Sequence, residues 1–137
     1  MKQTFIADTN ILIRLFTLDD DTQIEELTRM IEQGTTTLSV LSMVLIEAYW
    51  VLNKSYKFEK ESIVHVFQEL LESDGVELEE ETIMQRTLNT FQTLNVDLVE
   101  VYLAEKSKVL ELPILTWNHK DFKKLNCEYY RPQDIVN

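Results

Sequence analysis

The sequence has little of what punctuates, crosslinks or ligates soft metals: among 137 residues there are two Gly, two Pro, one Cys and two His. So few breakers exclude a loop-rich or low-complexity chain and predict a helix-rich body without repeats or linkers. A lone Cys127 excludes an internal disulfide, and it reads as a small apolar residue with no chemistry of its own. His65 and His119 are far apart and lack ligand-spaced companions, which excludes a zinc site. His65 also lies off the apolar stripe of its segment and reads as solvated. There is no Gly-rich phosphate loop, and no Gly-flanked serine of the kind a Ser/His/Asp hydrolase uses.

Basic residues are also scarce. Thirteen Lys and Arg stand against 24 Asp and Glu, a formal charge of −11. Such a balance repels nucleic acid overall, which on composition argues against a nuclease or DNA-binding protein, and it equally suits a basic protein partner. Much of the excess lies in two blocks, 19–21 and 72–81, which read as solvated surface. Acids gathered in one site would add further negative charge, which a bound divalent cation offsets. No apolar run is long enough to span a membrane, and the first residues lack an apolar leader core, so a cytoplasmic protein without membrane contact is expected. With 45% hydrophobic residues at this length, the expectation is one domain, 1–137.

The pattern that is present alternates strands and helices. A strand is predicted at 4–7, helices at 10–16 and 22–33, the second closed by Gly34, then a β-branched strand at 36–40 feeding a helix at 42–54. Further helices follow at 60–71, across Ile83 to Leu94, and at 97–109. Short strands are predicted at 76–78 and 114–116, the latter introduced by Pro113, with an edge strand at Tyr129-Tyr130. Alternation of this kind predicts an α/β fold, a parallel sheet flanked by helices, with ligands at the carboxyl ends of its strands.

Acids fall at the edges of these elements. Glu47 is the one charged residue in the run 40–52, and it is expected in the core, where an ionised carboxylate needs a partner or a metal, the alternative being an edge-of-core Glu with its carboxylate in water. Asp8 ends the first strand, although Asp8-Thr9-Asn10 equally suits a turn or helix cap. Asp97 and Glu100 match an acidic capping box, and their i, i+3 spacing also puts both carboxylates on one face of the helix end. Asp121 follows the strand at 114–116 and reads either as a site acid or as the N-cap of a short helix at 122–125. What joins hard oxygen donors of this kind is a divalent cation such as Mg²⁺. His119, Lys120, Lys123 and Lys124 form the densest basic cluster of the chain, suited to a phosphate backbone or simply to solvent.

These residues, from Ile6-Ala7-Asp8-Thr9-Asn10 to Leu115-Thr116-Trp117-Asn118-His119-Lys120-Asp121-Phe122, give the whole chain a resemblance to PIN-domain proteins of the VapC toxin type. The family's first acid corresponds to Asp8, with Asn10 beside it. Its second corresponds to Glu47, within a pattern formed by Ser42, Glu47, Trp50, Val51 and Leu52. An Asp-x-x-Asp motif before an Ala-containing helix corresponds to Asp97-Leu98-Val99-Glu100, which makes Glu100 the primary third acid and Asp97 the accessory one. Two positions depart from the pattern: Glu stands at 100 where Asp is usual, and Asn118 stands where a Thr-x-Asp motif beginning at Thr116 carries the fourth acid. Asp121 is a candidate replacement.

The resemblance implies a PIN-like, Rossmann-like three-layer fold and an RNA endonuclease in which a metal-activated water attacks a phosphodiester. Asp8, Glu100 and Asp97 would hold Mg²⁺ or Mn²⁺, with Glu47 and Asp97 orienting water or a second ion and Asn118 or Asp121 completing the outer shell. Asn10, Thr116, His119, Lys120, Lys123 and Lys124 would bind RNA. It further implies a homodimer, and a toxin–antitoxin pair in which a small antitoxin inserts a basic arm among the acids. The non-enzymatic alternative is a PIN fold kept as a protein- or RNA-binding module with a decayed site. Phosphatases of the haloacid dehalogenase type are excluded by Asn10, which replaces the second Asp of their Asp-x-Asp-x-Thr. A receiver domain is disfavoured, since it would need an acidic pair at the first strand and a phosphorylatable Asp ending a central strand, and none occurs between Asp21 and Asp74.

Overall fold

The structure, a computed structural model, describes residues 3–17 and 21–136. Its described residues group into two units, 1–81 and 82–137.

The first unit is built on a three-stranded parallel sheet in the order β1-β2-β3, with β1 at Gln3–Ile6, β2 at Thr36–Val40 and β3 at Val76–Leu78. Register pairs Ile6 with Ser39 and Val40 with Leu78, so the carboxyl ends of the strands lie side by side. The helices are α1 (Thr9–Thr17), α2 (Asp21–Glu32), α3 (Ser42–Lys54) and α4 (Lys60–Glu72). The β-branched strand β2 is the middle one, and four of its five residues are buried on alternating sides, as expected where helices cover both faces. Gly34 (φ 71°) takes the left-handed conformation that stops α2, leaving one residue before β2 begins.

α3 begins without a capping side chain of its own, because Leu41 stands at the cap position. Two acids from the segment after β3 substitute for it. The Ser42 N–H donates to Glu79 Oε1 at 3.1 Å and the Ser42 hydroxyl to Glu80 Oε1 at 2.7 Å, placing carboxylates where the helix dipole favours them. The acidic block 72–81 is therefore more than solvated surface. Of the block 19–21, positions 19 and 20 lie outside the described residues.

The second unit carries most of α5 (Glu81–Phe91), then α6 (Leu98–Leu110), β4 (Ile114–Leu115), α7 (His119–Phe122), β5 (Tyr129–Tyr130) and α8 (Pro132–Ile135). β4 and β5 pair in parallel as a separate two-stranded ladder, so the parallel pairing expected from sequence is divided between two sheets. α6 ends at Glu111, a non-glycine residue in the left-handed conformation whose N–H donates to the Ser107 carbonyl. Its buried side includes Leu98, Val101 and Ala104, and the unit's other buried residues include Met84, Leu88, Phe91 and Phe122.

Candidate functional site

In the first unit the chain leaves β1 through buried Ala7, whose N–H extends the ladder to the Ser39 carbonyl at 2.9 Å, and delivers Asp8 at the strand's carboxyl end. Asp8 Oδ1 accepts the Thr9 N–H at 2.7 Å, and Oδ2 lies 3.5 Å from Asn10 Nδ2. Thr9 connects this turn to the next helix: its hydroxyl donates to Glu47 Oε2 at 3.2 Å. Asp8, Asn10 and Glu47 are thereby brought together through a residue that sequence reasoning passed over as a cap former. The available signal was its position between two candidate site residues.

Glu47 itself is exposed, not in the core. The buried residues of α3 are Ser42, Leu45, Ala48 and Leu52, whereas Met43, Glu47 and Trp50 share the opposite face at i, i+4, i+7 spacing. Two of those three are large apolar residues standing in solvent, Met43 at 75% and Trp50 at 56% exposure, so the helix shows no polar stripe and reads as buried all round. A cleft of about 390 Å³ also lies in this unit, between α1 and α2, lined by Asn10, Ile11, Arg14, Gln23, Glu26, Leu27 and Met30. Of the candidate site residues only Asn10 reaches it.

The second unit gathers three acids. One carboxylate oxygen from each of Asp97, Glu100 and Asp121 lies within 4.8 Å of the others. Asp97 precedes α6 at its cap position but makes no side-chain capping hydrogen bond, so the capping box suggested by Asp97 and Glu100 is not formed. Glu100, one turn on, is half-buried, and its Oε2 is inaccessible to water with no hydrogen-bond partner. Burial pushes the Glu100 carboxyl above its usual range, and the nearby carboxylates of Asp97 and Asp121 push the same way, against its own backbone N–H. An oxygen left without a partner beside two further acids fits a hard cation as its missing partner.

Asp121 reaches this cluster because Asn118 holds it there. Asn118, not Asp121, is the N-cap of the short helix, which spans His119–Phe122 and not 122–125. Its Oδ1 accepts the Asp121 N–H at 3.1 Å, and its Nδ2 donates to Asp121 Oδ2 at 3.0 Å. Both ends of the Asn118 amide are thus spent on Asp121, which argues against Asn118 as a metal ligand and for Asp121 as the acid that takes its place. Thr116 supports the same turn, its hydroxyl oxygen accepting the Asn118 N–H at 2.9 Å.

Beyond the cap, His119, Lys120, Lys123 and Lys124 are all exposed. His119 Nδ1 lies 2.7 Å from the Tyr129 hydroxyl, which fixes the ring, and Lys124 Nζ reaches the Asn95 carbonyl at 3.4 Å. His65 is exposed and pairs with Glu69 at 3.0 Å, in keeping with a surface role. Cys127 is half-buried, and burial pushes its thiol up, which leaves it a poor nucleophile. No helix among the described residues is long and apolar enough to cross a membrane.

The family model of the PIN domain matches residues 5–126. Among solved structures, the chain is similar to VapBC2 from Rickettsia felis, crystallised bound to a DNA fragment from their promoter, at 18% identity over 94% of this chain and 98% of that one, with a TM-score of 0.40. No curated protein matches the sequence.

Proposed function

The chain belongs to the PIN-domain family, and on that premise we propose that it is a metal-dependent endoribonuclease, the toxin of a toxin–antitoxin pair, acting as one PIN domain over 1–137. PIN domains are generally nucleases. The observation that carries the proposal is the unpartnered, buried Glu100 oxygen between the carboxylates of Asp97 and Asp121. Mg²⁺ or Mn²⁺ held by these three acids would polarise a phosphodiester and lower the pKa of an attacking water.

The protein's own residues supply the rest. Asn118 orients Asp121 through two hydrogen bonds. By the family resemblance Asp8 is proposed as a metal ligand and Glu47 as an acid that orients water, with Thr9 fixing the Glu47 carboxylate. Asn10 steadies Asp8, while Lys120, Lys123 and Lys124 neutralise backbone phosphates of a single-stranded RNA and His119 binds beside them. The partner fits the electrostatics of the chain: with a formal charge of −11, a small antitoxin with a basic arm would be attracted, and an inserted arginine would pair with the acids and exclude RNA. We further propose a homodimer as the form that presents this surface.

Thermal melting and cleavage together test the reading. Mn²⁺ should raise the melting temperature of the wild type, since a ligand of the native state stabilises it by mass action. Glu100→Gln should lose most of that shift, and more of the activity than Asp97→Asn. Asp8→Asn should abolish cleavage of structured RNA at unpaired positions while the fold persists. Undiminished activity in Asp8→Asn would place the chemistry elsewhere. A wild type that binds RNA, shows no metal-induced shift and cleaves nothing would establish the decayed-module alternative.

A further inference from the structure

We propose that Trp117 is a stacking platform for an unpaired base of the RNA, set beside the acids by the turn that also positions Asp121. This deepens the nuclease reading by naming how single-stranded substrate is chosen.

The indole is 74% exposed, a large apolar surface left in water. It is not left loose. Its Nε1–H donates to Gln133 Oε1 at 3.1 Å, and its carbonyl accepts the His119 N–H at 2.9 Å, so the ring is tethered at its polar edge while its faces stay accessible. Burying such a ring against the protein would stabilise the fold, so folding alone does not favour holding it outward. Leu115 at 65% and Tyr130 at 38% exposure are register partners in the adjacent ladder and extend the apolar surface.

The next residue, Asn118, is the one that grips Asp121, so the platform and the acidic cluster are joined by a single peptide link and one pair of side-chain hydrogen bonds. C-terminal to it, His119, Lys120 and Lys123 are exposed within six residues of the ring along the chain, the two lysines as cations. A flat aromatic face followed within a few residues by exposed lysines is complementary to a nucleotide, whose base stacks while its phosphates meet the lysines. Duplex RNA presents no free base face, so the platform selects unpaired segments.

Trp117 and Trp50 are the only two tryptophans of the chain, so a Trp50→Phe protein reports on Trp117 alone. Its fluorescence should be quenched on titration with a single-stranded oligoribonucleotide at low salt in Ca²⁺, and not by the same sequence as a duplex. Trp117→Ala should weaken that binding by about 5- to 100-fold, the range of one base–aromatic stack, and Trp117→Phe should restore most of it. Circular dichroism of both variants separates lost binding from lost fold. Equal quenching by duplex, unquenched binding, or a Trp117→Ala protein with wild-type affinity would overturn the proposal. Because the readout is binding, quenching without cleavage in Mn²⁺ would keep this inference and remove the nuclease reading, and cleavage without quenching would do the reverse.

Discussion

At the scale of single residues, Glu100 carries the clearest energetic signature. Its folded carboxyl titrates above the unfolded value of 4.5, chiefly through burial. The native state therefore holds that proton more tightly, and between the unfolded and the raised folded pKa each step up in pH costs stability. Metal-free wild type should lose stability as pH rises through that window, and Glu100→Gln should flatten this part of the profile. At neutral pH the variant should melt higher than metal-free wild type by roughly 1–3 °C, a gain typical of relieving strain at a functional site. Scanning melts from acid to neutral pH, with and without Mn²⁺, would decide it, and a variant as pH-dependent as the wild type would assign the effect to another group. Asn118 offers a second test. Asn118→Ala removes the α7 cap and should cost about 1 kcal/mol in denaturant unfolding. Because it also releases Asp121, its loss of Mn²⁺-induced stabilisation should exceed that of Lys123→Ala, which touches no carboxylate of the cluster.

At the scale of elements, α3 separates what sequence suggests from what packing does. The apolar run 40–52 predicts a core segment, yet the helix buries Leu45, Ala48 and Leu52 and leaves Met43, Glu47 and Trp50 outside. Leu52→Ala should cost about 2–5 kcal/mol, because a fully buried side chain leaves a cavity. Glu47→Gln, on the exposed face, should change stability by no more than about 0.5 kcal/mol while lowering cleavage. Urea unfolding of both variants beside an RNA cleavage assay would check the contrast. A large loss of stability in Glu47→Gln would mean that the carboxylate is structural. The helices and strands themselves were legible: β2, α3 and β3 fall on the predicted boundaries, because β-branched runs and i, i+3, i+4 spacing are local signals. The short helix near 120 was misplaced by one cap, since Asn118 and Asp121 are both good cap formers and only the direction of their mutual hydrogen bonds distinguishes them.

At the scale of the whole molecule, the charge of −11 acts at long range. Association with a basic antitoxin should slow by about 10-fold or more between low and physiological salt, as electrostatic steering is screened. Stopped-flow mixing with a co-expressed partner measures this, and a salt-independent rate would point to an apolar interface instead. The exposed Met43 and Trp50 supply such a surface in that case.

The class of fold and the order of its elements can be read from the residues alone, since hydrophobic period and turn chemistry are written along the chain. It also supplied every acid now in the candidate site, because carboxylates at the edges of apolar elements stand out without coordinates. Tertiary structure decided which of them meet. Asp97, Glu100 and Asp121 gather within 4.8 Å, although twenty residues separate the last two in the chain. Exposure, too, was decided there: whether Glu47 faces core or solvent depends on which side of α3 its neighbours cover, and an apolar sequence cannot announce that. The part played by Asn118 emerged in the same way, for a residue that departs from the family's acid pattern is recognised as a clamp on Asp121 only through the hydrogen bonds between them.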